Sequence, residues 1–268
     1  MRVVVDRVSK GSAGVPLGET SLEYETGDIT VVEGEVGDQP TVLALIASGR
    51  MVPDSGSVTI DGADDAALIR ESVALVDAPD VSSPAADLRL RDVVREELMY
   101  ADRSTSRATV AQTLADAGAG DYANVRMADV PAALRVRLLA ELAAFRRGVR
   151  AVVLASPDRH GGDPREWFDV AADLAARDFA VLVVCGAPSA LLVQPLLDER
   201  AEATAAVAPA ALPAPAAPAA AAAPAAPAST EAAPAHPAHA RPTEATDPAD
   251  AGAAPTASSD DLNPEPLA

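Results

Sequence analysis

Lysine, cysteine and aromatic residues are scarce in this chain of 268 residues. Lys10 is its one lysine, Cys185 is its one cysteine, and aromatic residues make up 3% of the chain. A single cysteine excludes an internal disulfide and a cysteine-cluster metal site, and it fits a reducing cytoplasm. No apolar run approaches the ~18 uninterrupted residues of a membrane-spanning helix, and the first residues lack the apolar core of a secretory signal. We therefore expect a cytoplasmic protein without direct membrane insertion.

Positive charge is also scarce. The formal net charge of the chain is −19, whereas surfaces that bind nucleic acid or anionic membranes are basic. The charge balance therefore argues against nucleic-acid partners and against binding to an anionic membrane surface.

Residues 27–62 carry the most informative pattern. A strand-like apolar run at 29–32 is followed by a turn at 34–39 that contains two glycines, and then by a helix that starts with Pro40. The segment PDSGSVTIDG, at 53–62, has the composition of a turn and a short strand. A strand, a glycine loop and a helix in this order form the layout of a phosphate-binding loop.

This stretch resembles the opening of the ATP-binding-cassette (ABC) ATPase domain. In that family a G-x-x-G-x-G-K-[ST] loop leads into a helix and then into a segment much like PDSGSVTIDG. Gly34, Gly37 and Thr41 fall on positions of the loop, while Gln39 stands where its third glycine belongs and Pro40 where its lysine belongs. The resemblance implies that Gly34, Gly37 and Thr41 form a vestigial phosphate-binding loop.

The proline at position 40 has large chemical consequences. The loop lysine of the family places a positive charge on the β- and γ-phosphates, and backbone N–H groups of the loop donate hydrogen bonds to the phosphate oxygens. Pro40 has neither a charge nor an N–H, and Glu35 and Asp38 bring negative charge towards the same place. Each lost charge-assisted hydrogen bond is worth roughly 1.5–3 kcal/mol. Two or three such losses weaken nucleotide binding by about a hundredfold or more.

The other chemical positions of the family are also replaced. Its γ-phosphate-sensing glutamine corresponds to Ala78, and its L-S-G-G-Q signature falls on 130–134, a segment with neither serine nor glycine. Its magnesium-binding aspartate and catalytic glutamate correspond to Ala155 and Ser156, and its final histidine falls within 185–187, where none is present. We therefore predict no catalytic residue and no metal site.

The remaining pattern predicts the elements that an ABC domain requires. Apolar runs predict short strands, at 2–5, 21–24, 70–76, 151–157 and 179–184. Apolar spacings of three and four residues predict helices, at 90–98, 109–117 and 134–145. A polar turn at 9–18 is expected between the first two strands.

Three further residues have expected roles. Tyr24 lies on an alternating strand and is expected to pack in the core. Asp163 precedes Pro164 and is expected to cap a helix. His160 is expected to be an exposed loop residue.

These elements predict an α/β fold. It would be a P-loop NTPase-like ABC core, with a parallel sheet flanked by helices, an antiparallel β-subdomain and a helical subdomain at about 87–130. The domain is expected to span 1–200. From 201 to 268 the chain holds 13 of its 23 prolines, abundant alanine and no aromatic residue. Such a composition cannot bury a core, so a disordered tail is predicted there.

The first functional hypothesis is a catalytically degenerate ABC-type ATP-binding domain, acting as a structural or regulatory subunit of a membrane transport system. Its partners would be a membrane permease subunit, a second ATPase subunit in a homo- or heterodimer, or both. It would lie in the cytoplasm or at the inner face of the cell membrane, and no cofactor is expected. Two alternatives stay open: a working ATP-binding subunit with atypical motifs, which would use ATP and Mg²⁺, and an acidic α/β interaction module without nucleotide.

Overall fold

A computed structural model of the chain describes residues 1–34 and 37–207. Glu35, which the sequence places in the phosphate loop, lies outside the described residues, as does the predicted disordered tail from 208 onwards. The domain boundary predicted at 200 falls inside a helix, because the last described helix continues to Val207.

The described part of the chain contains seven strands and seven α-helices, together with three short 3-10 helices at Gly120–Tyr122, Met127–Asp129 and Pro157–His160. The strands are β1 (Arg2–Ser12), β2 (Val15–Glu25), β3 (Ile29–Glu33), β4 (Ser55–Ile60), β5 (Val73–Val76), β6 (Ala151–Ala155) and β7 (Ala180–Cys185). The helices are α1 (Gln39–Ala47), α2 (Ala66–Ser72), α3 (Leu90–Tyr100), α4 (Arg107–Asp116), α5 (Ala132–Ala144), α6 (Pro164–Ala176) and α7 (Ala187–Val207).

An antiparallel sheet is formed by three strands in the order β2-β1-β4. The polar turn predicted at 9–18 is wrong in length, because β1 continues to Ser12 and pairs there with Val15 of β2. Ala13 and Gly14 have φ angles of 54° and 77°, and two residues at positive φ make the tight turn that suits a hairpin. Since such a turn keeps the strands paired up to its ends, the polar residues extend the strands instead of interrupting them.

A parallel sheet is formed by four strands in the order β3-β7-β6-β5. Its register places Ile29 beside Val181, and Ala151 beside both Ala180 and Val73. Strands β5, β6 and β7 are buried along their whole length, as expected where helices cover both faces of a sheet. All four strands end at one edge, and parallel α/β sheets bind their ligands at that carboxyl edge.

The strand predicted at 70–76 starts later than expected. Residues up to Ser72 belong to α2, and β5 begins at Val73. The carboxylate of Asp65 accepts two backbone amides of the first turn of α2, at 3.0 and 2.9 Å. Because this cap stabilises the helix start, residues 70–72 complete the last turn of α2 and do not enter the sheet.

Two apolar clusters cover the two faces of the parallel sheet. On β6, Val152 and Leu154 belong to the first cluster and Val153 to the second, because successive side chains of a strand point to opposite faces. The first cluster includes residues of α3 to α7, and the second joins α1 to the antiparallel sheet. Tyr24 lies in the second cluster, 1% exposed, and its hydroxyl donates to the Ala47 carbonyl oxygen at 2.8 Å. Its predicted packing role is confirmed.

The described architecture confirms the predicted fold class, an α/β core with a parallel sheet beside an antiparallel one. Helices α3 and α4, which pack against each other, lie between β5 and α5, inside the interval assigned to the helical subdomain. The site predicted from the glycine loop therefore lies where β3 meets α1, at the carboxyl edge of the parallel sheet.

Candidate functional site

Gly34, the first predicted site residue, is buried directly after β3. Its N–H donates to the carbonyl oxygen of Cys185 at 2.9 Å, so this amide belongs to the sheet. A Cβ atom built at this glycine would lie 2.9 Å from Val184 Cγ1 and 3.1 Å from Pro40 Cγ. Glycine is therefore required here by the close approach of α1 to the end of β7.

The other predicted site residues lie at the start of α1. Gly37 is exposed with a φ of 50°, and Thr41 is half-buried in the first helical turn. Helix α1 begins at Gln39, one residue before the predicted start, and Pro40 is buried as its second residue. The first N–H groups of a helix are the donors that bind anions, and Pro40 removes one of them.

The end of β6 carries no carboxylate at the two positions where the resemblance places the acid pair. Ala155 is buried, and Ser156 has a φ of 50° with its N–H donating to the Val184 carbonyl oxygen at 2.8 Å. The nearest carboxylate along the chain is that of Asp158. Its Oδ2 atom accepts the Gly186 N–H and the Ser189 hydroxyl, both at 2.9 Å, so it ties the loop after β6 to the start of α7.

The pKa of the Cys185 thiol reflects the burial and the negative charge at this edge of the sheet. Burial raises the pKa of its thiol to about 12, and the negative charges of Asp158 and Glu33 add to the effect. A neutral thiol of this kind is chemically inert. The same two carboxylates place negative charge beside the loop that would hold phosphates.

A buried ionic cluster lies next to this edge, at the end of β5. The carboxylate of Asp77 accepts two hydrogen bonds from Arg135 at 2.8 Å each, one from Arg159 at 2.9 Å, and one contact from His160 Nε2 at 2.9 Å. The Ser83 hydroxyl accepts from both arginines, at 3.1 and 2.9 Å. The side chains of Asp77 and Arg135 are each 5% exposed. The cluster therefore joins β5, α5 and the loop after β6.

Asp77 is ionised in this cluster. Burial opposes its charge, but the hydrogen bonds from Arg135 and His160 and the charges of Arg135 and Arg159 outweigh burial and hold its pKa well below the usual range. The expectation that His160 is an exposed loop residue is wrong, because its side chain is 23% exposed and contacts Asp77. Sequence reasoning missed this cluster. Two signals were present: an aspartate directly after a buried strand, and an arginine within the apolar pattern of α5.

The loop after β5 closes on itself. The carbonyl oxygen of Ala78 accepts the amides of Val81, Ser82 and Ser83 at 3.2, 3.1 and 3.0 Å, and its N–H donates to the Ser82 hydroxyl at 3.0 Å. Ala78 is fully buried. The position aligned with the sensing glutamine is thus a packed turn.

A cleft of about 220 Å³ lies between this loop, α3 and α5, and Arg50, Val81, Glu97 and Arg146 are among its lining residues. Arg146 pairs with Glu97 at 2.6 Å and lies 5.5 Å from the ring of Tyr100, which is 57% exposed. Burial lowers the pKa of Arg50, and the charge of Arg146 lowers it further. Arg50, Arg146 and the carboxylate of Glu97 thus line a cleft to which the exposed Val81 also contributes.

Asp163 caps α6 as predicted. Its carboxylate accepts the Arg165 N–H at 3.0 Å, and Pro164 follows in the first turn. Within residues 1–34 and 37–207, no three His, Cys, Asp or Glu side chains gather in a way that could hold a metal ion. No helix in the same part of the chain combines the length and apolarity needed to cross a membrane.

Known proteins resemble this chain in sequence and in fold. No protein-family model matches it. The phosphonates import ATP-binding protein PhnC 1 of Natronomonas pharaonis is 30% identical over 190 residues, which cover 68% of this chain and 80% of that protein. The chain belongs to the ABC transporter ATP-binding family.

Solved structures of ABC proteins share the fold. A nucleotide-free ATP-binding cassette from an ABC transporter superposes with a TM-score of 0.54 at 15% identity, over 73% of this chain and 85% of that one. CbiO1 of Clostridium perfringens, described as part of the ABC transporter complex CbiONQ, gives a TM-score of 0.50 at 14% identity, over 69% and 77%. At such identities the comparison supports the ABC fold alone. The predicted resemblance to the family is confirmed.

Proposed function

We propose that this ABC-family chain is a catalytically silent ATP-binding-type domain that serves as a structural or regulatory subunit of a membrane transport system. The carboxyl edge of its parallel sheet is the observation that carries the proposal. Ala155 and Ser156 end β6 without an acid, and Asp158 is already bonded to Gly186 and Ser189. The carboxylates of Asp77 and Asp158, which follow β5 and β6, are both held by hydrogen bonds, so neither is free to hold Mg²⁺ or to polarise water.

The loop between β3 and α1 supports the same conclusion. Pro40 replaces both a cation and a backbone donor, and Gly34 uses its N–H within the sheet. Two or three lost charge-assisted bonds, at roughly 1.5–3 kcal/mol each, weaken a micromolar nucleotide site to a dissociation constant of about 100 µM or weaker. Gly34, Gly37 and Thr41 are then structural remnants of a phosphate loop, and no cofactor is needed for the proposed role.

The proposed partners are a membrane permease subunit, a second ATPase subunit, or both. PhnC 1 is named as an import ATP-binding protein and CbiO1 as part of a transporter complex. We assign permease docking to the cleft that contains Arg50 and Arg146, because the exposed Val81 in its lining supplies apolar contact area. The subunit would then work at the inner face of the cell membrane.

ATP turnover is the direct test of catalytic silence. Purified full-length protein is expected to hydrolyse Mg-ATP no faster than a buffer blank, because Ala155 and Ser156 stand at the end of β6 in place of the acids that would hold Mg²⁺ and activate water. Calorimetry is expected to give a dissociation constant weaker than about 100 µM, consistent with the lost bonds at the loop. Turnover that follows the folded protein through purification would refute the proposal.

Docking at the cleft has its own test. Val81→Asp puts a negative charge in the cleft lining and is expected to weaken co-purification with the membrane permease subunit of the transport system at least tenfold. Val52→Asp is the matched control, because Val52 is 77% exposed and Val81 is 52% exposed, and Val52 is absent from the cleft lining. Equal recovery of the permease with both variants would contradict this docking site.

The first alternative, a working ATP-binding subunit with atypical motifs, is favoured by one observation, the name of PhnC 1. It would need Thr41 on Mg²⁺ and a dissociation constant for Mg-ATP in the low micromolar range, which the same calorimetry measures. The second alternative, an acidic module outside the family, is excluded, because the chain belongs to the family and has the antiparallel sheet in the order β2-β1-β4.

A further inference from the structure

Asp158 occupies a position with the properties of an anion site. Gly186 is the residue before α7, since its carbonyl oxygen accepts the amides of Ser189 and Ala190 at 3.0 Å each. The carboxylate of Asp158 therefore lies at the start of a 21-residue helix, where backbone N–H groups and the helix dipole favour a negative charge. The Gly186 N–H and the Ser189 hydroxyl both donate to it. The chain thus supplies its own anion at this helix terminus.

This helix terminus is close to the predicted phosphate loop. Gly186 follows Cys185, whose carbonyl oxygen accepts the N–H of Gly34, the first glycine of the loop. The thiol of Cys185 experiences the charge of Asp158 and that of Glu33, the residue before Gly34. The Asp158 carboxylate therefore lies at the turn whose preceding residue, Cys185, contacts the first glycine of the loop.

The carboxylate also lies in tight contact with the β7–α7 turn. A Cβ atom built on Gly186 would lie 3.2 Å from Asp158 Oδ2, which is tighter than ordinary contact. The carboxylate and the β7–α7 turn are therefore fitted to each other, and glycine leaves room for the charge. A phosphate entering here would meet a fixed negative charge whose two hydrogen-bond donors are already used.

We propose that Asp158 is a built-in anion that closes the phosphate end of the sheet in place of a nucleotide. This inference rests on the proposed function, because it names the group that excludes the triphosphate from the silent site. In a nucleotide-binding protein a phosphate can tie neighbouring loops together; here one carboxylate ties the loop after β6 to the start of α7 in every molecule. The loop sequence and Asp158 are then two separate barriers to binding.

The test restores the loop and then removes the carboxylate. The full-length Gln39→Gly/Pro40→Lys variant is compared with the same variant carrying Asp158→Asn, by calorimetry with Mg-ATP and with inorganic tripolyphosphate. Asparagine keeps an oxygen that accepts the Gly186 and Ser189 hydrogen bonds, so the turn is retained. We expect Asp158→Asn to tighten binding of both ligands at least tenfold. Asp169→Asn, the same charge change on the exposed surface of α6, is the matched control and is expected to leave affinity unchanged.

Equal affinity with and without Asp158→Asn, in variants that unfold cooperatively, would overturn the inference. If substitution of the buried Pro40 prevents folding, the single Asp158→Lys variant replaces the test. It is expected to bind tripolyphosphate at least tenfold more tightly than Asp169→Lys, and equal binding would again overturn the inference. Tight Mg-ATP binding by the unmodified chain would overturn the proposed function together with this inference, whereas equal affinity of the variants would overturn the inference alone, so the two failures are distinguishable.

Discussion

At the residue scale, the side chain of Asp77 is expected to make a large contribution to the stability of the folded protein. It is buried at the end of β5 and is contacted by Arg135, Arg159 and His160. Removing one partner of a buried ion pair leaves the other charges uncompensated, which costs more than the pair itself contributes. Its left-handed φ of 54° is one that asparagine also tolerates.

Asp77→Asn is therefore expected to lower the free energy of unfolding by about 3 kcal/mol, measured by urea denaturation at pH 7. Asparagine preserves the shape and the backbone conformation but leaves Arg135 and Arg159 without a carboxylate. Asp102→Asn is the control, because Asp102 has the same φ of 54° and is exposed. A loss no larger than that of the control would mean that the cluster contributes nothing to stability.

The pH dependence of this difference follows from the lowered pKa of Asp77. A carboxylate with a lower pKa in the folded state stabilises the protein above its unfolded pKa, about 3.9, and the contribution is lost as pH falls towards the folded pKa. The difference between Asp77→Asn and the unmodified protein should therefore shrink between pH 5 and pH 2. A difference that grew on acidification would contradict the assignment of Asp77 as the ionised partner.

At the scale of elements, the segment PDSGSVTIDG is explained by the antiparallel sheet. Its strand β4 pairs with β1, and the register shifts between Asp6 and Ser9. A Cβ atom at Gly56, which has a φ of 77°, would overlap the carbonyl oxygens of Asp6 and Arg7. Gly56 is therefore required where β4 passes the irregularity in β1. Gly62 has a φ of 83° but nothing within 4 Å of its Cβ position.

These two glycines form a matched pair of substitutions. Gly62→Ala is expected to cost about 1 kcal/mol, the strain of a left-handed alanine. Gly56→Ala carries the same strain and also displaces the backbone of β1 at Asp6 and Arg7. It is therefore expected to lower the free energy of unfolding by at least about 2 kcal/mol more than Gly62→Ala, as measured by thermal unfolding. Equal losses for the two variants would remove the steric explanation of the motif.

At the scale of the whole molecule, one parallel sheet separates two apolar clusters. Trp167, the chain's single tryptophan, lies in the first cluster, whereas Leu182 on β7 lies in the second. Val181 and Val183, its neighbours on the strand, belong to the first cluster. Since one strand supplies side chains to both clusters, loss of either cluster should release the other.

Leu182→Ala is expected to lower the free energy of unfolding by about 3 kcal/mol. The transition followed by Trp167 fluorescence should shift by the same amount as that followed by far-ultraviolet circular dichroism, because coincident probes indicate one cooperative unit. Leu154→Ala, on the tryptophan's side of the sheet, is the matched comparison. A fluorescence transition that stays in place in Leu182→Ala would show that the clusters unfold separately.

Local pattern was enough for most elements because their signals lie within a few residues of one another. Buried parallel strands appear as continuous apolar runs, and the cap at Asp163 is set by its neighbour Pro164. The errors occurred where a local signal competed with a longer-range one. Strand pairing places most of the polar residues at 9–18 in the β1–β2 hairpin. The helix cap at Asp65 stabilises α2, so residues 70–72 are helical. Helix α7 was missed because Pro195 interrupts its pattern.

The sequence by itself determined the family, the parallel and antiparallel sheets, and the replacement of the phosphate-loop lysine by Pro40, since these follow from residue order and spacing. Tertiary structure alone decided which charges meet. Asp77 and Arg135 are 58 residues apart, and Asp158 and Gly186 are 28 apart, so their pairing is created only when β5, β6 and β7 align in one sheet. The carboxylates at that edge, and with them the electrostatics of the site, are products of the fold.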